Sequence, residues 1–250
     1  MDLGGDPIAV AATVQALWRY PVNSLLGERV QTLSVTADGV VGDRGHLLVD
    51  LASGEIAAPE NVARWRPALQ LDARIANGEV LVSSKSWSMR VDDSELDIAL
   101  ADHFGFRCAI RRAGSRLCLS TGDFVLRPRY EASPLHIVFG KSLHDLSELL
   151  PEAVIDVRRF RPNIVVETTA DESDWIDRQI ALGSYLGKVV EKTKRCGMTM
   201  IAQTGLPEDP EILRAIVKRR QRCFGVYADV ASAGVIAIGD PISVSQSHRV

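Results

Sequence analysis

The chain has 250 residues, 46% of them hydrophobic and 24% charged, which is enough apolar material for one large or two smaller packed units. A formal net charge of -3 gives no global basic field, so nucleic acid and acidic membrane surfaces are poor partners and any anion site must be local. The amino terminus is acidic where a secretory signal would be basic, and the apolar run over residues 8–17 is too short to span a bilayer, so a cytoplasmic protein without a membrane partner is expected.

The dominant hydrophobic period along the chain is two. Strands are predicted over residues 13–20, 30–36, 46–50, 69–74, 80–83 and 89–91, broken by Asp-Gly, Ser-Gly and Asn-Gly turns, a spacing that suits a barrel or sandwich. Residues 94–104 instead place Leu96, Ala99, Leu100 and His103 at helical intervals, with Asp93 or Ser94 as the cap. Residues 113–129 mix Gly, Ser, Pro and Arg without a period and are read as the boundary between a unit at 11–115 and a second at 116–245. Ser142 offers a capping-box-like start to a second helix through Leu150, which Pro151 stops. A strand follows over 185–190, and a third helix over 211–220 after Pro210. Its basic end, 218–222, reads as a solvated terminus favoured by the helix dipole or as a docking point for an acidic redox partner. Strand-and-turn segments at 224–227 and 238–242 close a fold that is mainly β (α+β) with a few short helices.

Two tracts carry chemistry. Lys194-Arg195-Cys196-Gly197 sets one cysteine between close cations and a glycine, and nearby positive charge favours the thiolate, the form that attacks or ligates a metal. Arg158-Arg159-Phe160-Arg161-Pro162-Asn163 runs a cationic cluster with an amide into the apolar strand 164–166, a place for an anion. If that segment is extended, Arg161 and Asn163 share one face and Pro162 turns away. Cys108, Cys118 and Cys223 sit among apolar neighbours and read as structural, and the spacing of the four cysteines argues against a zinc site. His103 and His136 read as core residues, whereas His46 follows Arg44 by two and would share its face on an extended strand. Glu167, Asp171, Glu172 and Asp174 read as a solvated run before Trp175.

Ahead of these tracts stand Leu17-Trp18-Arg19-Tyr20-Pro21-Val22-Asn23-Ser24, Gly27-Glu28 and Gly39-Val40-Val41-Gly42-Asp43-Arg44. Taken in order over residues 11–245, the pieces resemble the MOSC family, the domain shared by molybdenum cofactor sulfurase carboxyl termini and amidoxime-reducing enzymes. The resemblance implies a two-part β-barrel architecture and a molybdenum cofactor of the molybdopterin type. It implies Cys196 as catalytic residue and metal ligand, a soft thiolate completing the metal's protein coordination. It implies Asn23, Ser24, Arg44, Arg161, Asn163, Lys194 and Arg195 as cofactor-binding residues. Asn23 stands where the family usually has lysine, and it donates a hydrogen bond without a charge. Gly45 stands where an aromatic is common. Pyridoxal phosphate binding is a further family-level association.

The implied reaction is reduction of an N-hydroxylated or N-oxide-type small-molecule substrate. No flavin, haem or iron-sulfur motif is present, so electrons are expected from a separate electron-donor protein. Two alternatives stay open: a cysteine persulfide carrier without redox turnover, and a non-catalytic barrel for another phosphorylated small molecule.

Overall fold

The alternating segment at the start becomes the strand Thr13–Arg19, which buries Val14, Ala16 and Leu17 and leaves Thr13 and Gln15 outside. This strand does not stay with the amino-terminal half. In the computed structural model, which describes residues 12–119, 122–128 and 135–245, it pairs with Ile164–Glu167 deep in the second half. The resulting eight-stranded sheet runs Ile242–Val244, Gln179–Leu182, Tyr185–Lys194, Cys223–Ser232, Leu135–Phe139, Ile164–Glu167, Thr13–Arg19, Glu28–Val30. Its one parallel pair, Leu135–Phe139 with Ile164–Glu167, is joined by the crossover helix Gly140–Leu149, as a parallel connection requires.

A second tie runs the other way. Gly234–Ala237 pairs with Thr32–Thr36, which also pairs with Gly39–Val40, so a late strand completes an early sheet. The rest of the amino-terminal half consists of His46–Asp50 with Cys108–Arg112, and of the meander Asp72–Ala76, Glu79–Ser83, Ser88–Arg90. The fold is thus the mainly β, helix-poor architecture expected, with its halves interleaved through strands.

Several apolar clusters hold it. Leu17, Ile137, Phe139, Ile164, Trp175 and Val226 pack on the large sheet, and Leu25, Leu48, Trp65, Leu96 and Leu100 fill the amino-terminal half. Phe160 and Phe224 stack at 4.1 Å beneath the helices Gly140–Leu149 and Pro210–Arg220. A smaller cluster of Leu26, Leu69, Met198 and Ile201 closes the seam between the halves. Each such side chain is worth about 1.5–3 kcal/mol of burial.

Several local expectations are corrected. Residues 69 and 70 end a 3-10 helix, Ala63–Gln70, and the strand begins only at Asp72, because Trp65, Ala68 and Leu69 bury at helical spacing. The predicted strand 30–36 breaks at Gln31, where the chain leaves one sheet for another. Ser142 lies inside a helix that begins at Gly140, and its hydroxyl donates to Glu172 at 2.6 Å instead of capping. Glu172 is not solvated. It is 5% exposed, pairs with Arg220 at 2.8 Å and accepts the Gly225 N–H at 2.9 Å, which removes Arg220 from the free basic end. Pro210 is the first residue of its helix, and Asp209 caps it by accepting from Glu211 N at 3.0 Å. The end of the boundary segment at Arg129 lies outside the described residues. Among the described residues no helix is long and apolar enough to cross a membrane.

Candidate functional site

Tyr20 is the centre on which the site is built. The chain turns back after Thr13–Arg19, and a Cβ at Gly27 would sit 2.7 Å from Tyr20 Cε1, so only glycine lets the ring lie there. Glu28 then locks the turn, pairing with Arg19 at 2.7 Å and accepting the Ile75 N–H at 2.9 Å. The Gly42-Asp43-Arg44 bend clamps Tyr20 from the other side. Asp43 Oδ1 accepts the Tyr20 N–H at 2.6 Å, and Arg44 N donates to Tyr20 O at 2.6 Å.

Three arginines converge on this residue. Arg161 places its guanidinium 4.3 Å from the Tyr20 ring centroid and Arg44 lies 5.1 Å away, both at cation–π range. Arg44 also pairs with Asp43 and donates to Arg161 O at 3.2 Å. Arg161 donates one N–H to Leu25 O. Arg195 donates to Phe160 O at 2.8 Å, and its own backbone is held twice by Arg222, each bond 2.8 Å.

Arg161 and Arg195 are buried, yet Arg161 Nη2 and Arg195 Nε have no hydrogen-bond partner among the described residues. Asp43 is the one carboxylate paired with any of the three among those residues. Burial drags the Arg161 guanidinium down to about 10, against the pull of Tyr20, and it lowers Arg195 as well, with Cys196 opposing. Burial and then the Arg195 charge hold His136 well below the usual imidazole range. The Tyr20 hydroxyl is pushed up by burial, although the arginines oppose it. Arg44 is also penalised by burial, but Asp43 and Tyr20 together outweigh that penalty and its affinity for the proton rises. This is a desolvated site with positive charge in excess and donors to spare, the condition a bound anion relieves.

Cys196 follows Arg195 directly. It caps the 3-10 turn Gly197–Thr199 and is half-buried against Leu26, Leu69 and Met198 on the seam, while Thr199 holds its carbonyl through N and Oγ1 at 3.3 and 3.1 Å. Alternation along Tyr185–Lys194 puts Lys194 on the exposed face, away from the buried Arg195.

Of the remaining sequence candidates, Asn163 and Ser24 have side chains committed to backbone partners. Asn163 Oδ1 accepts the His136 N–H at 3.2 Å, and its backbone joins His136 and Trp18 at 2.8 Å each. Ser24 is buried and donates to Ala57 O at 3.1 Å. Asn23 is half-buried, and its N–H donates to His46 O at 2.8 Å. Ser24, Arg44 and Arg161 share a left-handed backbone, with φ of 71°, 52° and 54°.

That geometry corrects two arguments from alternation. Arg161 is not extended and its strand begins at Ile164, so Arg161 and Asn163 do not share a face by period two. Arg44 likewise precedes the strand in a bend, so His46 does not follow it onto a common face. The arginine tract also divides. Arg158 pairs with Asp156 at 2.7 Å, and the fully buried Arg159 staples the carbonyls of Val154 and Pro207 at 3.0 and 2.7 Å. Tyr20 and Asp43 stood in the quoted motifs without a role. His136, expected in the core, is there, but its Nδ1 lies 3.3 Å from Arg161 O. An open cleft of about 720 Å³ elsewhere in the fold holds none of these residues; charge and unpaired donors, not volume, single out the arginine cluster.

The MOSC N-terminal beta barrel domain matches residues 11–110 and the MOSC domain residues 129–243. Mitochondrial amidoxime reducing component 2 of Bos taurus is 24% identical to this chain, over 92% of it and 82% of that protein. The crystal structure of the YUAD protein from Bacillus subtilis superposes with a TM-score of 0.54 at 12% identity, covering 95% of this chain and 97% of that one, a likeness of fold.

Proposed function

From a chain that carries an MOSC domain behind an MOSC amino-terminal β-barrel domain, we propose a molybdenum-cofactor protein that reduces N-hydroxylated or N-oxide-type small molecules with electrons from a separate donor protein. The observation that carries the reading is the trio Arg44, Arg161 and Arg195 around Tyr20, with two buried N–H groups unpaired, next to a half-buried cysteine. A relative named for amidoxime reduction supports the reaction class.

The residues present fit the group. Arg161 and Arg195 would hold its phosphate, since a guanidinium fork matches phosphate oxygens and both forks retain a free donor. Arg44, already neutralised by Asp43, would orient more than attract. Cys196 Sγ would be the soft protein ligand to molybdenum. Ser24 and Asn163, with side chains bonded to backbone, would set the shape of the walls. Asn23 would add a neutral donor and Lys194 a surface charge. When bound, the cofactor supplies a two-electron centre able to take oxygen from nitrogen; the chain supplies the charge, the ligand and a dry enclosure.

The test is molybdenum per chain together with the form-A pterin assay on protein from a molybdenum-replete host. Near-stoichiometric metal in the wild type and its loss in the Arg161→Ala, Arg195→Ala double variant are expected. A wild type without molybdenum or pterin would sink the reading.

A further inference from the structure

The ladder between Tyr185–Lys194 and Cys223–Ser232 ends with Lys194 opposite Cys223. One step further, Arg195 N donates to Arg222 O at 2.8 Å, as the next rung of an antiparallel pair should. The return bond of that rung would run from Arg222 N to Arg195 O. Arg222 N is engaged elsewhere, donating to Ile216 O at 3.2 Å where it closes the helix Pro210–Arg220. The side chain takes its place: Arg222 Nε folds back and donates to Arg195 O at 2.8 Å. Among the described residues that carbonyl is the one hydrogen-bond partner of the Arg222 side chain, although the residue is exposed. The backbone is bent to allow this, for Gln221 and Arg222 are both left-handed, with φ of 51° and 67°.

The carbonyl so held belongs to the peptide bond that leads into Cys196. The next carbonyl, that of Cys196 itself, accepts from Thr199 N and Oγ1 at 3.3 and 3.1 Å. A donor therefore fixes the peptide plane on each side of the Cys196 α-carbon, and between them they hold φ at -121° and ψ at -177°. Those two angles set the direction in which the side chain leaves the backbone. The alternative direction is at hand, because Leu26, Leu69 and Met198 pack beside the half-buried cysteine. A thiol behaves as a small hydrophobe and settles among such neighbours when nothing directs it elsewhere.

We propose that Arg222 is a positioning residue for the candidate site: its Nε, standing in for its own backbone N–H, holds the Arg195–Cys196 peptide so that the sulfur is presented to a ligand instead of packing into the seam. The role rests on Cys196 being the reactive residue of the proposed function, but it is tested without the metal. The full chain is made in a host that lacks molybdenum cofactor, and alkylation by iodoacetamide is followed at each cysteine by mass spectrometry, with the exposed Cys118 as internal reference. Arg222→Met keeps the length of the side chain up to Nε but has no donor, whereas Arg222→Gln keeps an N–H at the same place without the charge. Relative to Cys118, Cys196 should react about tenfold more slowly in the methionine variant and stay within about twofold of the wild type in the glutamine variant. Arg222→Gly removes the side chain at a φ that glycine adopts without strain, so it replaces the methionine variant should melting curves show that variant unfolded.

An equal or faster rate in a folded methionine or glycine variant overturns the proposal, because Arg222 would then only staple the helix end to the sheet. A fall in the glutamine variant as large as that in the methionine variant also overturns it, since charge and not the hydrogen bond would be acting. So does a wild-type Cys196 that stays unlabelled while Cys118 reacts. The expected pattern in a protein that takes up no molybdenum from a replete host supports the positioning role and sinks the proposed function, so the two fail separately.

Discussion

Replacing Arg161 by methionine tests whether the cationic cluster is built for an anion or for stability. Burial drags the guanidinium from its ordinary range down to about 10, a penalty on the charged form of roughly 3 kcal/mol. The sign follows from the cation being disfavoured by folding: the penalty is complete below about pH 10, hence at neutrality, and is relieved only as pH rises from about 10 toward the ordinary arginine range. The methionine variant escapes it. It loses a charged hydrogen bond to Leu25 O, about 1.5–3 kcal/mol, and a cation–π contact with Tyr20, about 0.5–2 kcal/mol. The terms nearly cancel, so the ligand-free melting temperature should move by only a few degrees, at about 2–4 °C per kcal/mol for a chain of this size.

Anion binding should separate the two proteins. Inorganic phosphate at about one hundred times its dissociation constant would stabilise the wild type by roughly 2.7 kcal/mol, or on the order of 5–10 °C. The variant should show less than half of that shift and retain less molybdenum. Scanning calorimetry across a phosphate titration, with metal analysis on the same samples, decides it. A variant that is several kcal/mol less stable without phosphate but keeps the full phosphate shift and its metal would refute the reasoning, because Arg161 would then be a structural staple like Arg159.

Cys196→Ser should keep the fold, since the side chain is half-buried and serine is close in volume, but lose molybdenum-dependent reduction; full activity ends its assignment as metal ligand. Asn23→Lys adds a charge at a half-buried position beside the cluster and should slow loss of cofactor on dialysis. Faster loss would place Asn23 away from the phosphate. Glu172→Ala strands the Arg220 guanidinium and the Gly225 N–H, so a loss of about 3–5 kcal/mol and a melting temperature lower by on the order of 10 °C are expected; a drop under 2 °C would show that the buried pair contributes little.

Legibility in the sequence followed locality. Strands whose one face is buried announced themselves by alternation, as Thr13–Arg19 and Thr32–Thr36 did. What alternation could not tell was which strand pairs with which. Thr13–Arg19 carries the same pattern whether it pairs only with Glu28–Val30 in its own half or, as it does, with Ile164–Glu167 as well. The buried role of Glu172 was hidden for a similar reason: its partners, Ser142, Arg220 and Gly225, are distant in sequence and none is distinctive alone.

The site was legible as composition and not as geometry. Arginine, cysteine and asparagine were named because their chemistry suits an anion and a metal, but their placement was argued from extended strands. The chain instead puts Ser24, Arg44 and Arg161 in the left-handed region, which costs a residue with a β-carbon roughly 1–3 kcal/mol each and survives only where surrounding contacts overrule it. Those contacts can be named: Ala57 O for Ser24, the Tyr20 backbone and Asp43 for Arg44, Leu25 O and His136 for Arg161. Each comes from a different stretch of chain, and together they aim two cations, Arg44 and Arg161, at one tyrosine. Local strain and buried unpaired charge are both unfavourable to folding. Their coincidence at a single place is what a fold selected only for stability would avoid, and it favours a bound anion as the partner that makes the arrangement worth keeping.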